Sequence, residues 1–187
     1  EIRYFANSEQ KPVIDESVRG KDIFIVQTGC SDSEYQQQNK NGPNTVLSLS
    51  VSDRVMETLL IMDACTRSGC NSITIVMPCY VYARQDKKDK PRACISASTI
   101  ASMFKTFRTF TRMACVELHN PSIQGFFDGA CDNFYTSNII CETLRLRYDI
   151  SNLVIVSPDE GGLKRAGIVA GKLKRPFIFL GKERDYT

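Results

Sequence analysis

Apolar positions recur along this chain with two alternating periods, and the alternation predicts a layered α/β domain. Residues 22–28, DIFIVQT, form a β-branched run closed by Gly29 and read as a strand buried on both faces. Val55, Met56, Leu59, Leu60, Met62 and Cys65 then recur at three and four residues behind a Ser52-Asp53 cap, and Gly69 stops them: a helix. Residues 72–77 are a second strand. Ser96 caps a second helix with Ile100, Met103 and Phe104 on its buried side, and 112–118 is a third strand leading to His119. A helix over 137–148, a strand over 153–156, a helix over 163–172 and a strand over 177–180 complete the pattern. Strands and helices at this spacing predict an α/β fold with a doubly wound, mostly parallel sheet. Residues 1–20 read as an element edge and a polar turn, and 120–133 as a loop with an apolar centre. The amide-rich stretch 31–50, broken by Asn41-Gly42-Pro43, reads as a flexible inserted loop.

In such sheets ligands bind beyond the carboxyl ends of the strands. That rule points to residues 82–92, His119, Asp159 and residues 182–184. The first is the densest: eight of the nine residues 84–92, all but Pro91, carry a charge or an amide, and Tyr80 and Tyr82 flank them. Solvation alone accounts for many such runs. Here the signs alternate through Arg84, Asp86, Lys87, Lys88, Asp89 and Lys90, which suits an anion or a metal-bound anion.

Composition narrows the classes. A chain of 187 residues supports one domain with its own core, read here over 1–187. A net charge of +3 and the acids inside the basic loop argue against nucleic acid. No apolar run is long enough for a membrane span. Eight cysteines without a C-x-x-C pair, beside a single histidine, disfavour zinc. They read as free thiols of a reducing, cytoplasmic environment, with Cys65, Cys79, Cys115 and Cys141 acting as small hydrophobes.

An imidazole at His119 and a carboxylate at Asp159, at neighbouring strand ends, suit a divalent ion with open positions, and magnesium carrying a polyphosphate fits. Gly161-Gly162 lets backbone amides approach a phosphate at a helix start. Arg84, Lys87, Lys88, Lys182 and Arg184 would surround the phosphates. Neither G-x-x-x-x-G-K-[ST] nor G-x-G-x-x-G occurs, so a P-loop ATPase and a standard dinucleotide binder are disfavoured.

Six segments in order, FANSE (5–9), ESVRGKDIFIVQTG (16–29), VYARQDKKDKPRACISA (81–97), ELHNPSIQGFFDGACDNFY (117–135), VSPDEGGLKRA (156–166) and GKER (181–184), closely resemble ribose-phosphate pyrophosphokinases. The resemblance implies the phosphoribosyltransferase-like N-terminal domain of that family. It implies transfer of the diphosphoryl group of Mg-ATP to ribose 5-phosphate, giving 5-phosphoribosyl 1-diphosphate for nucleotide biosynthesis. By the same resemblance Phe5, Asn7 and Glu9 line an adenine pocket of a neighbouring subunit, and Arg84, Gln85, Lys87, Lys88 and Asp89 attend ATP. His119 and Asp159 would ligate Mg2+, and Lys182 and Arg184 would stabilise the transition state from a catalytic loop beginning at 181. Phosphate or ADP as effectors would use Ser17, Arg19, Arg92, Gln124, Asp132 and Asn133. A homo-oligomer, or a hetero-oligomer with related subunits, follows from the shared pocket.

Departures from the family pattern are Glu117 before Leu118-His119, Pro121 two residues after that histidine, Glu160 in SPDEGG, and the insertion at 31–50. The Asp-Asp loop that takes ribose 5-phosphate in the family has no counterpart in residues 1–187. The expectation is therefore an incomplete N-terminal domain, inactive alone. The alternative is a non-catalytic, synthetase-associated regulatory subunit.

Overall fold

The computed structural model describes residues 1–31, 35–37, 45–47 and 49–181. Its backbone divides into two compact units, Glu1–Phe134 and Tyr135–Thr187.

The first unit opens with an antiparallel hairpin, β1 (Ile2–Tyr4) and β2 (Gln10–Pro12), in place of the expected edge and turn. Strand β3 (Asp22–Val26) follows. Within 31–50, read as a loop, β4 (Tyr35–Gln37) and β5 (Thr45–Leu47) pair antiparallel. Segments of three residues are too short for a period of two to register in sequence. Helix α1 (Val51–Arg67), β6 (Ser72–Val76), α2 (Ser96–Lys105), β7 (Phe110–Val116), a 3-10 helix (Pro121–Phe126) and β8 (Ala130–Phe134) complete the unit.

Strands β3, β6, β7 and β8 form one parallel sheet in that order. Both helices pack on one face of it. Val55, Met62, Cys65, Ile100 and Phe104 meet Ile25, Ile73, Ile75, Met113 and Cys115 in a single core. Each such burial contributes about 1.5–3 kcal/mol. Strand β3 lies at the edge, and its other face is open: Phe24 is 67% and Val26 72% exposed, against the expectation of burial on both faces. A continuous apolar run announces a strand but not how many layers cover it.

The N-cap of helix α1 is Ser50, two residues before the expected Ser52-Asp53 cap. Ser50 accepts the Asp53 N–H at 3.2 Å, and Asp53 Oδ2 accepts the Ser50 N–H at 2.7 Å, a reciprocal capping box. Its buried stripe is Val55, Thr58, Met62 and Cys65; Met56 is 49% exposed. Strand β8 and the 3-10 helix replace the expected loop at 120–133. Asp132 and Asn133 hide the strand from a hydropathy reading; Asp132 Oδ2 lies 2.7 Å from Arg112 Nη1, and Asn133 Oδ1 accepts the Leu118 N–H at 3.0 Å.

In the second unit α3 (Ser137–Arg147) and α4 (Leu163–Leu173) accompany β9 (Ile155–Ser157) and β10 (Phe177–Phe179), which pair parallel with one another as a sheet of their own. Strand periodicity in the sequence does not specify these pairing partners. Cys141, Val169 and Leu173 form this unit's core, with Leu144, Ile150, Leu153 and Ile155 packed against it. The mostly parallel sheet with flanking helices is an α/β fold. No helix among the described residues is long and apolar enough to cross a membrane.

Candidate functional site

The charged loop leaves the C-terminal end of β6 on a rigid base. Beyond the strand, Met77 N–H donates to Ala114 O at 2.9 Å and Val116 N–H to Pro78 O at 3.1 Å. Tyr80 is buried, its hydroxyl donates to Ala97 O at 2.8 Å, and its ring meets Phe127 edge-on at 5.8 Å. Burial pushes its phenol well above the usual range. Tyr80 is therefore an anchor and not the exposed aromatic surface expected from the sequence. Tyr82 is exposed, sits at φ 55°, and shares a 2.7 Å hydrogen bond with Ser52.

Two clasps hold the loop's polar run. Gln85 Oε1 accepts the Ser96 hydroxyl, and Gln85 O accepts the Ala97 N–H at 3.2 Å. Ser96 thus binds the loop instead of capping α2, whose N-cap residue is Ile95 without a side-chain bond. Asp86 Oδ2 accepts from Asn120 Nδ2 at 2.6 Å. Between and beyond these clasps Arg84, Lys87, Lys88, Asp89, Lys90 and Arg92 are exposed. Among the described residues none of these five cations is in an ion pair. Asp86 and Asp89 lie among them, so the loop offers a net positive but mixed-sign field.

The end of β7 is shaped by Glu117, which takes a left-handed φ of 52° while its N–H donates to Phe134 O at 2.9 Å. A non-glycine residue there costs about 1–2 kcal/mol, and such strain concentrates at functional sites. His119 follows, exposed. Asn120 Oδ1 accepts the Ser122 N–H at 3.0 Å, so one side chain caps the 3-10 helix and clasps Asp86. Asn120 carries no signal in the sequence beyond being an amide next to His119, and Ser96 reads there only as a helix cap.

Phe5, Asn7 and Glu9 share the exposed tip of the β1–β2 hairpin, where Asn7 Oδ1 accepts the Glu9 N–H at 3.3 Å and Phe5 is 54% exposed. The effector set is divided within the unit. Ser17 and Arg19 precede β3, with Gly20 N–H on Gly69 O at 2.8 Å in the turn before β6. Arg92, Gln124, Asp132 and Asn133 lie toward the other end of the sheet, a five-residue strand or ~17 Å away. Asp132 is already paired with Arg112, and Gln124 Nε2 donates to Pro121 O at 2.9 Å.

In the second unit Asp159 Oδ1 accepts the Gly162 N–H at 2.9 Å, and Ser157 Oγ donates to Asp159 O at 2.8 Å. A Cβ at Gly162 would lie 2.6 Å from Ser157 Oγ, so this turn before α4 excludes larger residues. His119 belongs to the first unit and Asp159 to the second. Among the described residues no three His, Cys, Asp or Glu side chains converge to hold a metal. Lys182 and Arg184 lie outside the described residues.

Residues 1–107 match the N-terminal domain of ribose phosphate pyrophosphokinase. The chain is 38% identical over 183 residues to ribose-phosphate pyrophosphokinase 2 of Schizosaccharomyces pombe, covering 97% of this chain and 51% of that protein. It also resembles the crystal structure of phosphoribosylpyrophosphate synthetase from Mycobacterium smegmatis, with a TM-score of 0.80 and 34% identity over 99% of this chain and 56% of the other. The chain thus spans about half the length of both.

Proposed function

This chain belongs to the ribose-phosphate pyrophosphokinase family, and from that premise we propose that it supplies the ATP side of a diphosphoryl transfer. The reaction moves the diphosphoryl group of Mg-ATP to the 1-hydroxyl of ribose 5-phosphate, giving 5-phosphoribosyl 1-diphosphate and AMP in nucleotide biosynthesis. The observation that supports this most is the clasped loop. Gln85 and Asp86 are held by Ser96 and Asn120, while Arg84, Lys87 and Lys88 stay exposed beside them. Transfer of this kind depends on positioning and on neutralising charge on phosphoryl oxygens, which a rigidly based set of cations supplies.

His119 and Asp159 are assigned to magnesium by their match to the family's motifs, each as a single ligand to an ion that usually completes its coordination with phosphate and water. Asp159 commits one oxygen to Gly162, which orients its carboxylate. When bound, magnesium neutralises the triphosphate. Lys182 and Arg184 are assigned to the charge that develops during transfer, and Asp89 to the rim of the ATP site. The exposed hairpin tip with Phe5, Asn7 and Glu9 suits an adenine pocket completed across copies, hence an oligomer. Phosphate or ADP at Ser17, Arg19, Arg92, Gln124, Asp132 and Asn133 would likewise draw on more than one copy, since one chain divides that set. A cytoplasmic site of action accords with free thiols. Residues 1–187 contain no Asp-Asp pair to take ribose 5-phosphate, so this chain alone is expected to form no product.

Calorimetric titration with ATP, with and without Mg2+ and at several chain concentrations, tests this. Saturable, magnesium-dependent binding that strengthens with chain concentration, and weakens at least fivefold in Arg84→Ala, is expected. No saturable binding at any concentration, or indifference to Arg84→Ala, would overturn it.

A further inference from the structure

Cys30 and Cys79 stand apart from the other thiols. Cys65, Cys70, Cys115 and Cys141 are buried and Cys131 is half-buried, whereas Cys30, Cys79 and Cys94 are exposed. Cys94 lies 3.2 Å from Ser96 Oγ. Cys30 and Cys79 are neighbours, and the Cys30 thiol helps to push the Cys79 thiol up. Cys79 is thus not the buried hydrophobe that its sequence context suggests.

The backbone brings them together. Strands β3 and β6 pair in register up to Val26 and Val76, and Gln27 N–H still donates to Val76 O at 2.9 Å. Cys30 lies three residues beyond Gln27, and Cys79 three beyond Val76. At Gly29, φ 73°, an added Cβ would stand 2.1 Å from Cys79 O, so the two chains touch at this point. Cys30 directly follows Gly29, so this contact sets the two cysteines at the same point of the paired chains.

We propose that Cys30 and Cys79 form a reversible disulfide, a redox-modification site at the base of the charged loop, made by exchange with a small-molecule disulfide of the glutathione type. The Cys30 thiol loses its proton to solvent and its sulfur attacks the small disulfide, expelling one thiolate that takes up a proton. Cys79, also losing a proton, then attacks the Cys30 sulfur and expels the second. One small-molecule S–S bond breaks, one protein S–S bond forms, and two small thiols leave. Partial burial and the Cys30 thiol push the Cys79 thiol up, with Arg84 pulling it the other way, so Cys30 is the attacking residue and Cys79 the resolving one. The bridge would tie the exit of β3 to the loop that carries Arg84. It does not depend on what that loop binds.

The full chain is equilibrated with oxidised and reduced glutathione over a range of ratios, quenched by alkylation and mapped by mass spectrometry. A Cys30–Cys79 linked peptide that accumulates before any other pair, and that dithiothreitol reverses, is the expected result. In Cys79→Ser, Cys30 should instead carry glutathione as a persistent mixed disulfide. Absence of the linked peptide at every ratio would overturn the proposal. So would links distributed equally over Cys94 and the other thiols.

Discussion

Asn120 Nδ2 lies 2.6 Å from Asp86 Oδ2, and this bond joins the segment after β7 to the charged loop after β6. A hydrogen bond to a charged group is worth about 1.5–3 kcal/mol when its partner is removed. Asn120→Ala should leave the far-UV circular dichroism unchanged and sharpen tryptic cleavage within residues 84–92. Asn120→Asp, which sets two carboxylates face to face, should accelerate cleavage further. Unchanged cleavage in both variants would show that the bond does not restrain the loop.

Gly29 should tolerate no side chain. An alanine there combines a left-handed φ with a backbone clash against Cys79 O, and neither chain can give without breaking the sheet's register. A loss of about 3 kcal/mol or more is expected, read as a fall in Tm upwards of ~10 °C. A Gly29→Ala protein melting within ~2 °C of the parent would contradict the packing described.

The capping box of α1 should titrate. The Ser50 hydroxyl and backbone N–H hold the Asp53 carboxyl below its usual range. Its contribution is therefore full above the unfolded value of about 3.9 and is lost as pH falls through the lower folded value. The stability gap between parent and Asp53→Asn should be widest near neutrality and close below about pH 4. Ser50→Ala should cost ~0.5–2 kcal/mol at pH 7. Urea melts at a series of pH values would expose a gap that fails to close.

Lys174 ends α4 at φ 54°, exposed, in the position where glycine is strain-free. Lys174→Gly should stabilise the second unit by up to ~1 kcal/mol. Slower amide exchange along 163–173 would register it; faster exchange would count against the assignment.

The strands and helices that carry a strong period are legible in the sequence alone. Ser72–Val76 and Ser137–Arg147 fall within a residue or so of their expected bounds, and the polar loop between β6 and α2 stands out by charge alone. Strand β8 was not legible, because Asp132 and Asn133 interrupt its apolar pattern and are compensated only by Arg112 and Leu118, far off in sequence. Ser96 looked like a helix cap, since a hydroxyl before an apolar run usually is one; Gln85 competes for it and wins.

Alternation of two periods, dictated by local backbone geometry, determined by itself that the chain is an α/β protein. Tertiary structure decided which strands share a sheet, that Phe24 and Val26 face outward, that Tyr80 is an anchor, and that Asn120 and Gln85 clasp the loop. These depend on partners tens of residues away. A period constrains only the next turn or the next pleat, so it carries no information about which distant group will meet a given side chain.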